Sequence, residues 1–169
     1  LNYAIVRPHN VVGIRQNIWD KYRNVIGIWI RRVLNGESII IFGDGKQKRA
    51  FSDIKFCLEP MEKLLTESNA QIFNLGSDKE YTLNEVAEIL KEIAGEYGLN
   101  PEIEHLEARH EVKNAYSSHD KAKRLLGFKD ETNLKETIKE MLVWAIKQED
   151  REIKIMPYEI DKGIYSYWK

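Results

Sequence analysis

An α/β fold is predicted for this 169-residue chain by three observations. Short apolar β-prone runs alternate with segments of helical periodicity, glycine and Asn-Gly stops fall between them, and helix starts carry capping pairs. The length and the 43% hydrophobic content agree with a soluble globular class and one real core.

The first run, YAIV at residues 3–6, is stopped by Arg7-Pro8, because proline cannot donate to a ladder and biases its predecessor toward extended geometry. After the polar loop HNVVGIRQNIWD, Tyr22, Val25, Ile26, Trp29 and Val33 recur at helical spacing. With Asn35-Gly36 as a left-handed stop, they predict a helix from about Lys21 to Leu34. Ile39–Phe42 and Arg49–Ile54 flank GDGKQK and read as a hairpin, with Gly43 and Gly45 free to take positive φ. A helix over 57–67 follows, with Leu58, Met61, Leu64 and Leu65 on one face, then a buried strand, Gln71–Leu75, ending at Gly76.

Thr82 and Glu85 form a capping box before a helix whose apolar face is Leu83, Val86, Ala87, Leu90, Ile93 and Ala94. Gly98-Leu-Asn-Pro101 ends it, and Glu102–Leu106 is strand-like. Ser117 or Ser118 is expected to cap a short helix through Leu126, closed by Gly127. Asn133 and Glu136 cap a last long helix whose face is Leu134, Ile138, Met141, Leu142 and Ala145. The tail from Asp150 has no helical period and reads as an extension. There is no internal repeat or low-complexity segment.

Lys+Arg 26 against Asp+Glu 27 gives a formal charge of -1, so no global field exists to hold nucleic acid or an anionic membrane. Any anion site must be local. The single Cys57 cannot form an internal disulfide, and the chain shows neither a signal peptide nor an apolar run long enough to span a bilayer, so a reducing cytoplasm is the simplest setting. The opening LNYAIVRP runs straight into a strand pattern without a methionine, which suggests a chain cut from something longer.

The stretch IIIFGDGKQKRAFSDI, residues 39–54, places Lys46, Lys48 and Arg49 beside a turn whose glycines let backbone approach a ligand. By charge statistics alone, Lys46 and Lys48 read first as solvated turn residues. Arg49, next to the apolar pair Ala50-Phe51, could instead reach a diphosphate bidentately. In EARHEVK, residues 107–113, Arg109 follows a predicted strand and Glu111 could accept from sugar hydroxyls; a solvated charge run is the plainer reading. Asn10 and Arg15 lie just past the carboxyl end of a strand, where α/β sheets open ligand crevices, and Asn24-Val25 begin a helix whose free N–H groups favour phosphate. His105 and His110 fit no common zinc spacing, and no metal is expected.

The order RPHNVVGIRQN, YRNVIGIWIRRVLNGESIIIFGDGKQKRAFSDI, IFNLGS, TLNEVAEIL and EARHEVKNAYSSHDKAKRLLGF, with a closing amphipathic helix, resembles the carboxyl-terminal half of the NAD-dependent nucleotide-sugar epimerase/dehydratase family. Within these extended short-chain dehydrogenases, the similarity is to the UDP-glucose 4-epimerase-like branch. It implies the last strand of a Rossmann-type domain at 1–20, a small mixed α/β substrate-binding domain at 21–149, and an extension at 150–169. The implied ligand is a UDP-hexose. Asn10, Asn24 and the Val25 N–H would face the sugar and phosphate, Ile40 and Phe42 would hold the uracil through backbone groups, and Arg49 and Arg109 would clamp the phosphates. Phe51 would pack near the ribose and Glu111 accept from it.

The family's glycine-rich dinucleotide fingerprint and catalytic Tyr-x-x-x-Lys are expected before Leu1. NAD is accordingly expected in the longer parent and not in this chain alone, which should be inactive by itself. A sugar-nucleotide 4,6-dehydratase fragment and a non-catalytic nucleotide-sugar module are the alternatives. Truncation should also leave Tyr3, Ile5 and Val6 in an incomplete sheet that favours self-association.

Overall fold

The computed structural model describes residues 3–20, 24–67 and 70–151. Its elements run β1 (Ala4–Pro8), β2 (Val11–Val12), α1 (Val25–Leu34), β3 (Ile39–Phe42), β4 (Lys48–Ala50), β5 (Ser52–Asp53), α2 (Ile54–Glu67), β6 (Gln71–Leu75), β7 (Glu80–Thr82), α3 (Leu83–Glu96), β8 (Ile103–Leu106), β9 (Asn114–Ala115), α4 (Asp120–Leu126) and α5 (Leu134–Ile146). The α/β reading holds, with strands and helices interleaved along the chain.

Three parallel pairs, β1 with β6, β2 with β5 and β3 with β8, accompany a three-stranded sheet ordered β7-β4-β9. The pairing overturns the expected hairpin. β3 runs parallel to β8, while β4 pairs antiparallel with β7 and parallel with β9, so the GDGKQK turn carries the chain from one sheet to another. Gly43 and Gly45 do take positive φ, +78° and +69°. What holds the turn is the start of α3: Asn84 donates its backbone N–H to the Gly45 carbonyl at 3.1 Å and its side-chain amide to the Asp44 carbonyl at 2.9 Å. A Cβ on Gly45 would fall 1.9 Å from Asn84 Oδ1, so a side chain there would displace the amide that holds the turn, besides sitting at a positive φ.

The main core gathers α1, α3 and α5 over β3, with Trp29, Ile30, Ile39, Ile41, Phe51, Leu90, Ile93, Ile138 and Met141 fully or almost fully buried. The predicted faces of α3 and α5 are the buried ones. Asn24 caps α1 by accepting from the Ile26 N–H at 3.0 Å, which is why the helix starts at Val25 rather than at Lys21. Lys21 and Tyr22 lie outside the described residues, as does the tail beyond Arg151.

A second core joins Cys57, Leu64, Phe73, Leu75, Ala122, Leu126 and Phe128, with Ala4, Val6, Val11, Ile54 and Phe56 packed against it. It is built from β1, α2, β6 and α4, so the two cores interleave along the chain, and a boundary after residue 20 parts β1 from the elements it packs on.

α2 begins three residues earlier than expected, and its buried stripe is Cys57, Pro60 and Leu64. Leu58, Met61 and Leu65 face outward, Leu65 at 85% exposure. The apolar residues on this helix cover more than one face, and contacts with β1, β5 and α4 decide which is used. α4 likewise departs from expectation: its cap position is His119 with no side-chain cap bond, and Ser118 instead accepts from the Asp120 N–H at 3.3 Å.

Candidate functional site

Two parallel pairings frame the loop between β8 and β9. Phe42 of β3 lies in register with Leu106 of β8, and the Gly43 N–H extends the ladder to the Leu106 carbonyl at 3.0 Å. On the other side, Arg49 of β4 lies in register with Ala115 of β9, and the Lys48 N–H reaches the Lys113 carbonyl at 2.7 Å. Residues 107–113 are thereby held across the β3–β4 turn. His105 adds a ring-nitrogen bond to the Gly43 carbonyl at 2.7 Å.

This framing brings together two guanidinium groups from distant parts of the chain. Arg109 Nη2 lies 3.0 Å from Glu111 Oε1, and Arg49 Nη2 lies 3.5 Å from Glu111 Oε2. The Arg109 guanidinium also stacks on Phe42, its Cζ 3.5 Å from the ring centroid. Arg49 donates through Nη1 to the Lys48 carbonyl at 2.8 Å, which orients its head. Beside this cluster opens a cavity of 590 Å³ lined by Phe42, Gly43, Asp44, Lys46, Gln47, Ala108, Arg109, Glu111, Lys113 and Asn114.

The three cations of the 39–54 stretch have different fates. Lys46 extends into solvent, 79% exposed, with Asp44 at 3.6 Å, and Lys48 pairs with Glu80 at 3.7 Å. Only Arg49 turns inward, its side chain 17% exposed. The Lys46 backbone N–H bonds the Asp44 carboxylate and, with the ammonium, holds its pKa below the usual carboxylate value.

Of the remaining predicted residues Phe42 lines the cavity, whereas Asn10, Asn24, Val25, Ile40 and Phe51, like Arg49, are not among its lining residues. Asn10, at φ +40°, donates its amide to the Ala50 carbonyl at 3.0 Å, tying the β1–β2 turn to β4. Asn24 is engaged as the α1 cap, with Val25 the first helical residue behind it. The Ile40 carbonyl accepts from the Trp29 indole at 2.8 Å, and the Phe42 carbonyl accepts from the Gln47 amide at 3.0 Å. Phe51 is 1% exposed and belongs to the main core, so its ring does not present a surface to a ligand.

Sequence reasoning passed over His105, Gln47, Lys113 and Asn114. Gln47 and Lys113 sit in polar runs that look like any solvated loop, and no periodicity marks them. His105 reads from the sequence only as a candidate metal ligand. No group of three or more His, Cys, Asp and Glu able to hold a metal ion exists among the described residues.

Residues 1–76 match the sequence model of the NAD dependent epimerase/dehydratase family. A putative UDP-glucose 4-epimerase from Methanocaldococcus jannaschii is 37% identical over 145 residues, covering 85% of this chain and 46% of that protein. Among solved structures, the UDP-N-acetylglucosamine 4-epimerase of Methanobrevibacter ruminantium M1, in complex with UDP-N-acetylmuramic acid, superposes with a TM-score of 0.77. It is 28% identical and covers 88% of this chain and 47% of that one. The UDP-glucose 4-epimerase of Thermotoga maritima with UDP-glucose gives a TM-score of 0.72 at 28% identity, covering 86% and 46%.

The chain thus spans 46% of the length of its curated epimerase relative. No segment of it reads Gly-x-x-Gly-x-x-Gly. The Tyr-x-x-x-Lys spacing, expected only before Leu1, does occur as Tyr158–Lys162 and Tyr165–Lys169, both outside the described residues. In sequence match, relatives and fold alike, the chain groups with the NAD-dependent epimerase/dehydratase family and its UDP-glucose 4-epimerase-like members.

Proposed function

We propose that this chain is the substrate-holding part of an NAD-dependent nucleotide-sugar epimerase and that its ligand is a UDP-hexose. The observation that carries the reading is the convergence of Arg49 and Arg109 on one carboxylate beside an open cavity. Paired guanidinium forks match the oxygens of a diphosphate, and such charge-assisted bonds are among the stronger polar contacts. Two solved relatives, each 28% identical, are described in complex with UDP-sugars, which supports a UDP-sugar as the anion.

In this reading Arg49 and Arg109 clamp the two phosphates, and Glu111 accepts from ribose hydroxyls. Ile40 and Phe42 receive the base through their backbone, on a strand whose carbonyl oxygens also accept from Trp29 and Gln47. Asn10, Asn24 and the Val25 N–H serve the sugar end. Phe51 supports the β4–β5 backbone from within the core and makes no ring contact with ligand.

The chain's own contribution is orientation, an effect that supplies about 7–11 kcal/mol of barrier lowering in favourable model systems. Alone it binds without turnover. Calorimetric titration with UDP tests this: the wild type responds, and Arg49→Ala and Arg109→Ala each weaken binding about tenfold or more, the scale of one lost charge-assisted bond. A folded wild type indifferent to millimolar UDP defeats the proposal.

A further inference from the structure

Glu111 is placed oddly for a residue whose only task is to meet a ribose. Its two carboxylate oxygens are divided between the two arginines, Oε1 at 3.0 Å from Arg109 and Oε2 at 3.5 Å from Arg49. A carboxylate there occupies the guanidinium groups that a diphosphate would need. The three side chains are 17%, 19% and 27% exposed, so the pairing is partly shielded from water and from salt. The loop carrying Glu111 is fastened at both ends, by the β3–β8 ladder before Arg109 and by the β4–β9 ladder from Lys113 onward. Glu111 therefore cannot drift far from the arginines, and an incoming anion must compete with it.

Resting on the nucleotide reading above, we propose that Glu111 is an internal counter-ion that holds the arginine pair until a ligand bearing both a diphosphate and sugar hydroxyls displaces it, and that it thereby selects nucleoside diphosphates over simple phosphates. The physical reason lies in what the displaced carboxylate meets. A diphosphate linked to a ribose offers hydroxyl donors close by, so Glu111 exchanges guanidinium partners for hydroxyl partners. Inorganic pyrophosphate carries no sugar hydroxyls and a larger charge, and it leaves a second anion beside its own, a repulsion that weakens it. The carboxylate raises the threshold for every anion and lowers it again only for one carrying hydroxyls.

The test is titration of the wild type, Glu111→Gln and Glu107→Gln with UDP and with inorganic pyrophosphate, each variant first checked for wild-type circular dichroism and melting. Glu107 is an exposed neighbour on the same loop and controls for the loss of one negative charge. The proposal expects Glu111→Gln to bind pyrophosphate about threefold to tenfold tighter than the wild type, the scale of one or two partly exposed ion pairs removed. UDP should gain less or weaken, so that the preference for UDP over pyrophosphate narrows, while Glu107→Gln leaves both affinities within about twofold, as expected of a single screened charge. Pyrophosphate bound no tighter by Glu111→Gln, with UDP binding intact and lost in Arg109→Ala, overturns the counter-ion role and leaves the nucleotide site standing. Equal gains in both glutamine variants reduce the effect to bulk charge and also overturn it. Absence of UDP binding by the wild type removes the nucleotide reading and this inference together.

Discussion

Asp78 shows how much a single side chain organises outside the site. Its Oδ2 takes Lys123 Nζ at 2.6 Å and its Oδ1 faces Nδ1 of His119, a ring only 1% exposed whose Nε2 lies 3.0 Å from Ser117 Oγ. Burial pushes the Asp78 carboxyl up, but the bonds with Lys123 and His119 outweigh it, and the folded pKa lies below the ordinary 3.8. A carboxylate depressed on folding stabilises the fold above its unfolded pKa and loses that contribution as pH falls through the folded value, here in the acid range below 3.8. Asp78→Asn should therefore lower the urea midpoint more at pH 7 than at about pH 2, since the contribution of the ionised form shrinks as pH falls through the acid range below 3.8. Equal shifts at the two pH values would show that the ionised form contributes nothing. At the same scale, Cys57 is pushed up to about 11 by burial and by nearby Asp130 and Asp53, as befits a thiol packed in the second core.

Among the elements, α3 links fold and site. Its capping box is complete, the Thr82 N–H meeting Glu85 Oε2 at 2.7 Å and the Glu85 N–H meeting Thr82 Oγ1 at 3.2 Å. The same first turn anchors the β3–β4 turn through Asn84. Thr82→Ala should cost about 1 kcal/mol, measured by urea denaturation, as expected for loss of a capping hydroxyl. A neutral result would mean that tertiary contacts alone hold this helix end. The capping box and the faces of α3 and α5 were legible in the sequence because caps and a 3.6-residue period act over a few neighbouring residues. The face of α2 was not, because Leu58, Met61 and Leu65 compete with Cys57 and Leu64 for the core, and local spacing cannot choose between them. The hairpin expectation failed for a similar reason: two glycines permit a turn but do not say whether the strands beside it pair with each other or with β8, β7 and β9.

For the molecule as a whole, the outer face of the β1–β6 pair matters most. Ile5 and Ile72 are direct register partners and both are exposed, 44% and 43%, with Tyr3 alongside at 49%. An apolar pair exposed on a two-stranded sheet is expected to favour association with another apolar surface. Light scattering should show an apparent mass that rises with concentration for the wild type and less so for Ile72→Lys. A wild type that stays strictly monomeric across the range would contradict this. No helix among the described residues is long and apolar enough to cross a membrane.

By itself the sequence determined the alternation of strands and helices, the Asn35-Gly36 stop of α1, the capped starts of α3 and α5, and the two arginines worth watching, because each depends on chemistry within about one or two helical turns. The tertiary structure alone decided that Arg49 and Arg109 share Glu111, that Lys46 and Lys48 are turned to other carboxylates, and that Phe51 belongs to the core. Those outcomes rest on ladders that join residues far apart in the chain, β3 with β8 and β4 with β9, whose register no local pattern encodes.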